Sequence, residues 1–574
     1  MREDCMFNRL PDNATEFLTW TWQQIKPFCD DLASRPLDSD TVDGFLQDWD
    51  ALTNLMDEAG TRLNLATSQN TTDDAARERY SRYLEEVLEP AEPALQAVID
   101  HLLESGVEPE GFEMPLRKMR VRSELYRDEN VPIDTQITKL EMEYDKIIGG
   151  QTVEWEGQET TLVKLGAVLE DTDRAKRERA WRAMSERQLA DRAAINENWA
   201  KLLDLRLEVA RNAATAGFRE YCWGMKCRFD YTPADCLSFH EAIQTHVVPA
   251  ARRILERRAE RLGVETLRPW DLAVDPAGRS PLRPFSDSEQ LASTCEAIFH
   301  KVDPRVGSYF SQMRREELLD LPNRKGKAPG AFCTGFPVLG VPFVFMNATD
   351  REGDVRTLLH ESGHAFHVFE AQKQPYRALR GSPMEFAEVA SMSMELLAAP
   401  YLTKDQGGFY EPAELARTMI GQIEGMILFW PYMAVVDAFQ HWVYENPGAA
   451  HDPANCDATW SSLWDRFMPV TDYAGFEAVK ETGWHRKLHI HCAPFYYVEY
   501  GLAQLGATRV YGNALEDQAQ AVSGYLAALA LGDSVPLPKL FETAGATFGF
   551  GPDTVAPAVA LLEAKLDEYA AADR

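Results

Sequence analysis

His360-Glu361-Ser362-Gly363-His364 sets two imidazoles four residues apart, with a carboxylate beside the first. On a helix, positions i and i+4 share one face about one turn apart. Two imidazoles so placed converge on one ion, with Zn–N bonds of roughly 2.0–2.1 Å. Glu361 projects about 100° away, which aims it at a metal-bound water rather than at the ion. Val355, Leu358, Leu359, Ala365, Phe366 and Phe369 flank the motif, so the helix is expected to be buried. A buried helix does not carry His, Glu and His without partners. Thr349-Asp-Arg-Glu352, just upstream, has the form of a capping box and marks the expected helix start.

A catalytic zinc takes three protein ligands and keeps one position open. The longer HExxHxxGxxH pattern is excluded, because positions 367 and 370 are His367 and Glu370. His367 reads as a packed histidine. The third ligand is sought in a second amphipathic helix, Met384 to Glu395, which the loop Gln372 to Pro383 allows to return alongside the first. Glu388 lies one turn in and can face His364. Glu385 sits nearer the start, where an acidic residue complements the helix dipole. Glu395 is seven residues past Glu388 on the same face, placed to orient a histidine through its other ring nitrogen.

A second constellation lies downstream. His485, His489 and His491 precede Pro494-Phe-Tyr-Tyr-Val-Glu-Tyr500. Peptide hydrolysis passes through a tetrahedral oxyanion, which a phenol O–H or an imidazole N–H stabilises. Tyr497 and Tyr500 share a helix face, and Tyr496 competes with Tyr497. The alternative reading is an aromatic core stripe.

The elements that must hold these groups are mostly helical. Residues 167 to 216 contain no Gly or Pro, and Ile195, Trp199, Leu202, Leu205 and Val209 recur every three to four positions. That pattern predicts one long helix or two shorter ones. Residues 13 to 106 read as several helices broken near Pro36 and Pro90 to Pro93, and Ala519 to Leu531 and Ala556 to Tyr569 read as helix. Strand signals are few. Thr152 to Thr161 alternates around Glu156-Gly157 and predicts a hairpin. Val338 to Met346 predicts a strand at a sheet edge, because Pro342 cannot donate to a ladder. At 574 residues, two or more lobes are expected. The boundary falls loosely between 150 and 200, which divides the chain into an N-terminal helical lobe, 1 to 200, and a catalytic domain, 201 to 574.

The net charge of −31 disfavours nucleic acid and anionic membrane as partners. The longest uninterrupted apolar run noted, Met426 to Val436, is short of the roughly 20 residues of a spanning helix. Met1 to Asp12 has no apolar signal core, so a cytoplasmic location is expected. The nine scattered cysteines are expected to be reduced and mostly buried.

Several segments together resemble the oligoendopeptidase F branch of the thimet oligopeptidase family. They are GKAPGAFC (326 to 333), DVRTLLHESGHAFH (354 to 367), EFAEVASMSMELL (385 to 397) and HIHCAPFYYVEYGLAQLGA (489 to 507). RNAATAGFREYCW (211 to 223) and RPWDL (268 to 272) extend the likeness. The resemblance implies a mainly α, two-lobed helical zincin with a deep substrate channel and a small β element beside the active-site helix. It implies one zinc per chain on His360, His364 and Glu388, with Glu361 as base. It also implies that a C-terminal His and Tyr act on the transition state: His489 fits the pattern best, followed by Tyr497 and Tyr500. His489 against His491, and Tyr496 against Tyr497, stay open. A narrow channel implies short peptides as substrates.

The expected activity is therefore zinc-dependent hydrolysis of internal peptide bonds in short peptides. Val344, within the predicted edge strand, is expected to help bind substrate by backbone addition, with Tyr496 and His491 nearby. The alternatives are a metallocarboxypeptidase, which needs an anchor for a free carboxylate, and a non-catalytic helical zinc-binding scaffold, which has no use for Glu361.

Overall fold

Apolar residues at three-to-four spacing produce helices along most of the chain, as a computed structural model describing residues 6–573 shows. Cys5 lies outside the described residues. The Gly- and Pro-free stretch forms two helices, Arg174–Ala190 and Arg192–Asn212, with Asp191 between them. Pro90 and Pro93 do not break a helix. Pro90 lies in the first turn of Glu89–Ser105, where a missing N–H costs little, Pro93 lies inside that helix, and a π-turn, Leu84–Leu88, precedes both.

The described chain gathers into two compact units, each assembled from three separated segments. The first comprises Met1–Ser123, Leu282–Ala416 and Gly506–Phe548, and the second Glu124–Pro281, Arg417–Leu505 and Gly549–Arg574. Residue 200 falls inside the helix Arg192–Asn212 of the second unit.

The second unit holds the hairpin Thr152–Trp155 and Gln158–Thr161, paired from Thr152 opposite Thr161 to Trp155 opposite Gln158. It also holds most of the helix Pro412–Glu445, whose apolar character extends well past Met426–Val436. By length and composition this helix is apolar enough to cross a membrane, with a mean hydropathy of 1.4 over 18 residues. That window is 67% buried inside the protein, as befits a core helix.

The first unit holds a three-stranded sheet: β1 (Leu319–Pro322), β2 (Phe332–Phe336) and β3 (Val341–Ala348). The order is β1-β3-β2, with β1 parallel and β2 antiparallel to β3. The edge position expected for 338 to 346 is thus corrected: β3 is central. Pro342 is tolerated because pairing with β1 begins only at Val344, whose N–H donates to the Leu318 carbonyl at 3.0 Å. Positions 342 and 344 face the same side of the strand, so the missing donor of Pro342 falls beyond the end of β1.

Two helices follow the sheet: α1 (Glu352–Ala371) and α2 (Met384–Leu397). The capping box at the start of α1 forms two residues later than predicted, with Arg351 at the N-cap and Asp354 at N3. Asp354 accepts from the backbone N–H groups of Thr349 (2.7 Å) and Arg351 (2.9 Å). The two helices cross closely at Gly363. A Cβ there would stand 2.6 Å from the Ala390 carbonyl oxygen and from the Ser391 Cα, so only glycine fits without moving backbone.

Candidate active site

Helix α1 aims His360 and His364 from one face, and α2 returns Glu388 to them. Glu388 Oε2 lies 3.5 Å from His360 Nε2 and 3.7 Å from His364 Nε2. Tetrahedral ligands held at roughly 2.0–2.1 Å from zinc stand about 3.3–3.5 Å apart, so the trio fits one such ion with little movement. These three side chains form one of two trios of potential metal ligands among the described residues.

The surrounding groups fix the ligands. His360 Nδ1–H donates to Glu395 Oε1 at 2.7 Å, which directs Nε2 at Glu388. Ser391 Oγ–H donates to Glu388 Oε2 at 3.0 Å. Burial opposes charging of His360, but hydrogen bonds to Glu388 and Glu395 outweigh it and raise its pKa to about 10. Burial lowers that of His364 to about 4. Burial also works against ionised Glu388, yet His360 and His364 hold its carboxyl below the usual range. This is a donor set that attracts positive charge. Glu395→Ala should weaken zinc binding about 10- to 100-fold, measured by competition with a chromogenic chelator.

Glu361 projects off the ligand face and is buried. Burial is the main cause of a pKa raised to about 7; neighbouring Glu388 and Glu395 add to it, while His360 and the Cys333 backbone N–H oppose it. Cys333 belongs to β2, the sheet edge that pairs with β3 on one side. This contact was invisible in the sequence, as were the roles of Gly363 and Ser391. Glu385, expected near an exposed helix start, is buried. His367 is packed, its ring 6.3 Å from Phe386, and burial depresses its pKa to about 3.

Val344 does not fit a substrate-binding role. It is fully buried and paired on both sides, opposite Leu319 and Cys333. The strand with one unpaired side next to Glu361 is β2.

The second constellation lies in the other unit, in the short helix Leu488–Cys492 and the start of the helix Tyr497–Glu516. Buried Arg206 donates to the carbonyls of Ile490 (3.1 Å) and His491. Phe495 turns the chain with a left-handed φ of 60°. Gln440 accepts its N–H at 2.7 Å. His489 comes to ring-centroid distances of 5.7 Å from Tyr496, 4.9 Å from Tyr497 and 6.0 Å from Tyr500. Burial, then Lys487 and Lys226, lower the His489 pKa to about 4, so it is a neutral N–H donor near neutral pH.

Burial separates His489 from His491. His491 is fully buried and stacks on Tyr144 (4.2 Å) and Trp484 (5.8 Å), so the substrate contact expected of it is corrected to a core role. His485 is likewise in the core, its Nε2 2.7 Å from Asn196 Oδ1. Tyr497 is buried against Phe429, Tyr432 and Lys487, whose Nζ lies 3.7 Å from its ring centroid. Tyr496, Tyr500 and His489 are half-buried.

With this geometry in place, comparison with known proteins is informative. The profile of peptidase family M3 matches residues 167–550. The oligoendopeptidase F homolog of Borreliella burgdorferi is 26% identical over 256 residues, covering 43% of this chain and 42% of that protein. Oligopeptidase PepF of Bacillus subtilis is 25% identical over 273 residues, covering 46% and 39%. The chain thus aligns with less than half the length of these curated relatives. Among solved structures, a putative oligoendopeptidase F has a TM-score of 0.85 at 27% identity, covering 97% of this chain and 98% of that one. PZ peptidase A with an inhibitor has the same TM-score and identity, covering 98% and 99%.

Proposed function

The chain belongs to peptidase family M3, and from that premise we propose that it is a zinc-dependent oligoendopeptidase hydrolysing internal bonds of short peptides. One observation carries the reading: three ligand atoms from α1 and α2 lie within 4.8 Å of one another, Glu388 standing 3.5 and 3.7 Å from the two imidazoles, while Glu361, beside them, is left off the ligand set. Zinc, when bound, acts as a Lewis acid on the scissile carbonyl and makes water easier to deprotonate.

Glu361 takes a proton from the attacking water and passes it to the leaving amine nitrogen. Its raised pKa suits both steps, since a base that must also donate works best near the operating pH. The unpaired side of β2 offers backbone groups to an extended peptide, a contact blind to most side chains. His489 and Tyr500 donate hydrogen bonds to the oxyanion, and Tyr497 braces them. Support for these roles comes from their clustering, from the neutral state of His489 and from the resemblance of the segment. Tyr500→Phe should lower kcat about 10²- to 10³-fold with little change in KM, read from steady-state kinetics.

The deciding assay for the function is cleavage of an internally quenched nonapeptide blocked at both ends. An endopeptidase cleaves it. A metallocarboxypeptidase does not, because no free carboxylate is present, and a zinc-binding scaffold holds metal without cleaving anything.

A further inference from the structure

The second trio of potential metal ligands lies wholly in the second unit. Helix Pro233–Ala242 carries Cys236 and His240 four residues apart, and helix Pro412–Glu445 carries Asp437 and His441 at the same spacing. Each helix therefore presents its pair from one face. All four residues are at most 2% exposed. One ligand atom each from Cys236, Asp437 and His441 lies within 4.8 Å of the other two, the same criterion that His360, His364 and Glu388 satisfy. His240 Nε2 stands 2.9 Å from Asp437 Oδ2, and His441 Nε2 stands 3.4 Å from the same oxygen.

Two atoms in this cluster are buried with no hydrogen-bond partner: Asp437 Oδ1 and His441 Nε2. Such buried groups are costly to leave unmet, the more so when charged. Asp437 is nonetheless ionised. Burial opposes its charge, but His441 and His240 hold its carboxyl far below the usual range. The walls are aromatic: Trp223 and Phe495 flank His441 at 5.8 and 5.3 Å, and Phe467 flanks His240 at 6.4 Å.

We propose that Cys236, Asp437 and His441 bind a second divalent ion, zinc by the chemistry of the donors, in a structural site separate from the HExxH centre. A thiolate, an imidazole and a carboxylate together favour a borderline-soft, four-coordinate ion over calcium or magnesium, which take oxygen sets. His240 donates to Asp437 Oδ2 and so fixes the carboxylate with Oδ1 left for the ion. His441 ligates as a neutral ring through Nε2, and a water fills the fourth position. Binding releases the Cys236 thiol proton, and thiolate plus carboxylate balance the two positive charges. Arg219 Nη1 stands 3.4 Å from His441 Nδ1. Ligation through Nε2 puts the ring proton on Nδ1, so Arg219 turns fully to Glu445 and Glu220, with which it already pairs. The ion ties Pro233–Ala242 to Pro412–Glu445 in the core of this unit.

The test uses the full chain carrying His360→Ala and His364→Ala, dialysed against zinc chloride and then desalted. Elemental analysis should find one zinc per chain, and adding Cys236→Ser and His441→Ala should remove it. In a second measurement, otherwise unaltered protein loaded with cobalt(II) should show thiolate-to-cobalt charge transfer in the near ultraviolet. The HExxH trio contains no sulphur, and loss of the band on Cys236→Ser assigns it to Cys236 rather than to another of the free cysteines. The proposal is overturned if the His360→Ala/His364→Ala protein, folded by circular dichroism, holds no zinc. It is equally overturned if the cobalt protein lacks the band, or if the further substitutions leave the metal count unchanged. Any of these leaves a metal-free buried cluster in which His240 alone is hydrogen-bonded to Asp437.

Discussion

Glu361→Gln should retain its zinc and lose about 10²- to 10⁴-fold in kcat/KM on the blocked nonapeptide. The amide matches the carboxylate in shape, so α1 and the three ligands keep their positions. What disappears is the capacity to accept a proton from water and return it to the amine. Glutamine also ends the need to keep a buried acid near neutrality; burial raises the Glu361 pKa to about 7 against the pull of His360 and the Cys333 N–H. The substitution should therefore be neutral or slightly favourable for thermal stability. Retained metal with lost turnover separates proton transfer from ligation. If Glu361→Gln turned peptide over at the rate of the unaltered protein, the assigned base would be wrong.

Removing the metal should be at least as damaging. Dialysis against 1,10-phenanthroline is expected to cut hydrolysis by about 10³-fold or more, corresponding to the several kcal/mol of charge stabilisation a Lewis acid supplies. Activity should return on adding zinc. His364→Ala should show the same loss without recovery. Its imidazole is held neutral at ordinary pH, with a pKa lowered to about 4, so it is ready to ligate without first losing a proton. A chelator-treated sample with undiminished activity and no residual metal by elemental analysis would exclude the zinc mechanism.

The ligand set was legible because its geometry is local: i,i+4 on one helix, then a carboxylate one turn into the next. Glu395 was legible for the same reason, since seven residues keep a helix face. The sheet was not. Pro342 argued for an edge, and only knowledge of where β1 begins could show that a central strand tolerates it there. That error also placed the expected peptide-binding position at Val344, which is paired on both sides. His489 and His491 could not be separated by type or spacing, because what distinguishes them is contact with Tyr144, Trp484 and Trp199, all distant in sequence or supplied by other helices. Gly363 looked like an arbitrary filler of HExxH until the backbone of α2 was seen against it. Asp437 and His441 lay inside an apolar stretch that reads as core, and Cys236 some two hundred residues earlier gave no hint of meeting them.

The threading of the chain bears on its biosynthesis. It passes from one unit to the other at 123, 281, 416, 505 and 548. Domains ordinarily condense in order as they leave the ribosome. Here the first unit lacks a wall until Gly506–Phe548 has been translated, and the second waits for the helix Pro552–Ala572. Both units must therefore remain unfinished, with apolar surface uncovered, until these later segments have been made. Two halves expressed apart from a cut at residue 200 would each lack pieces of the core they are meant to enclose.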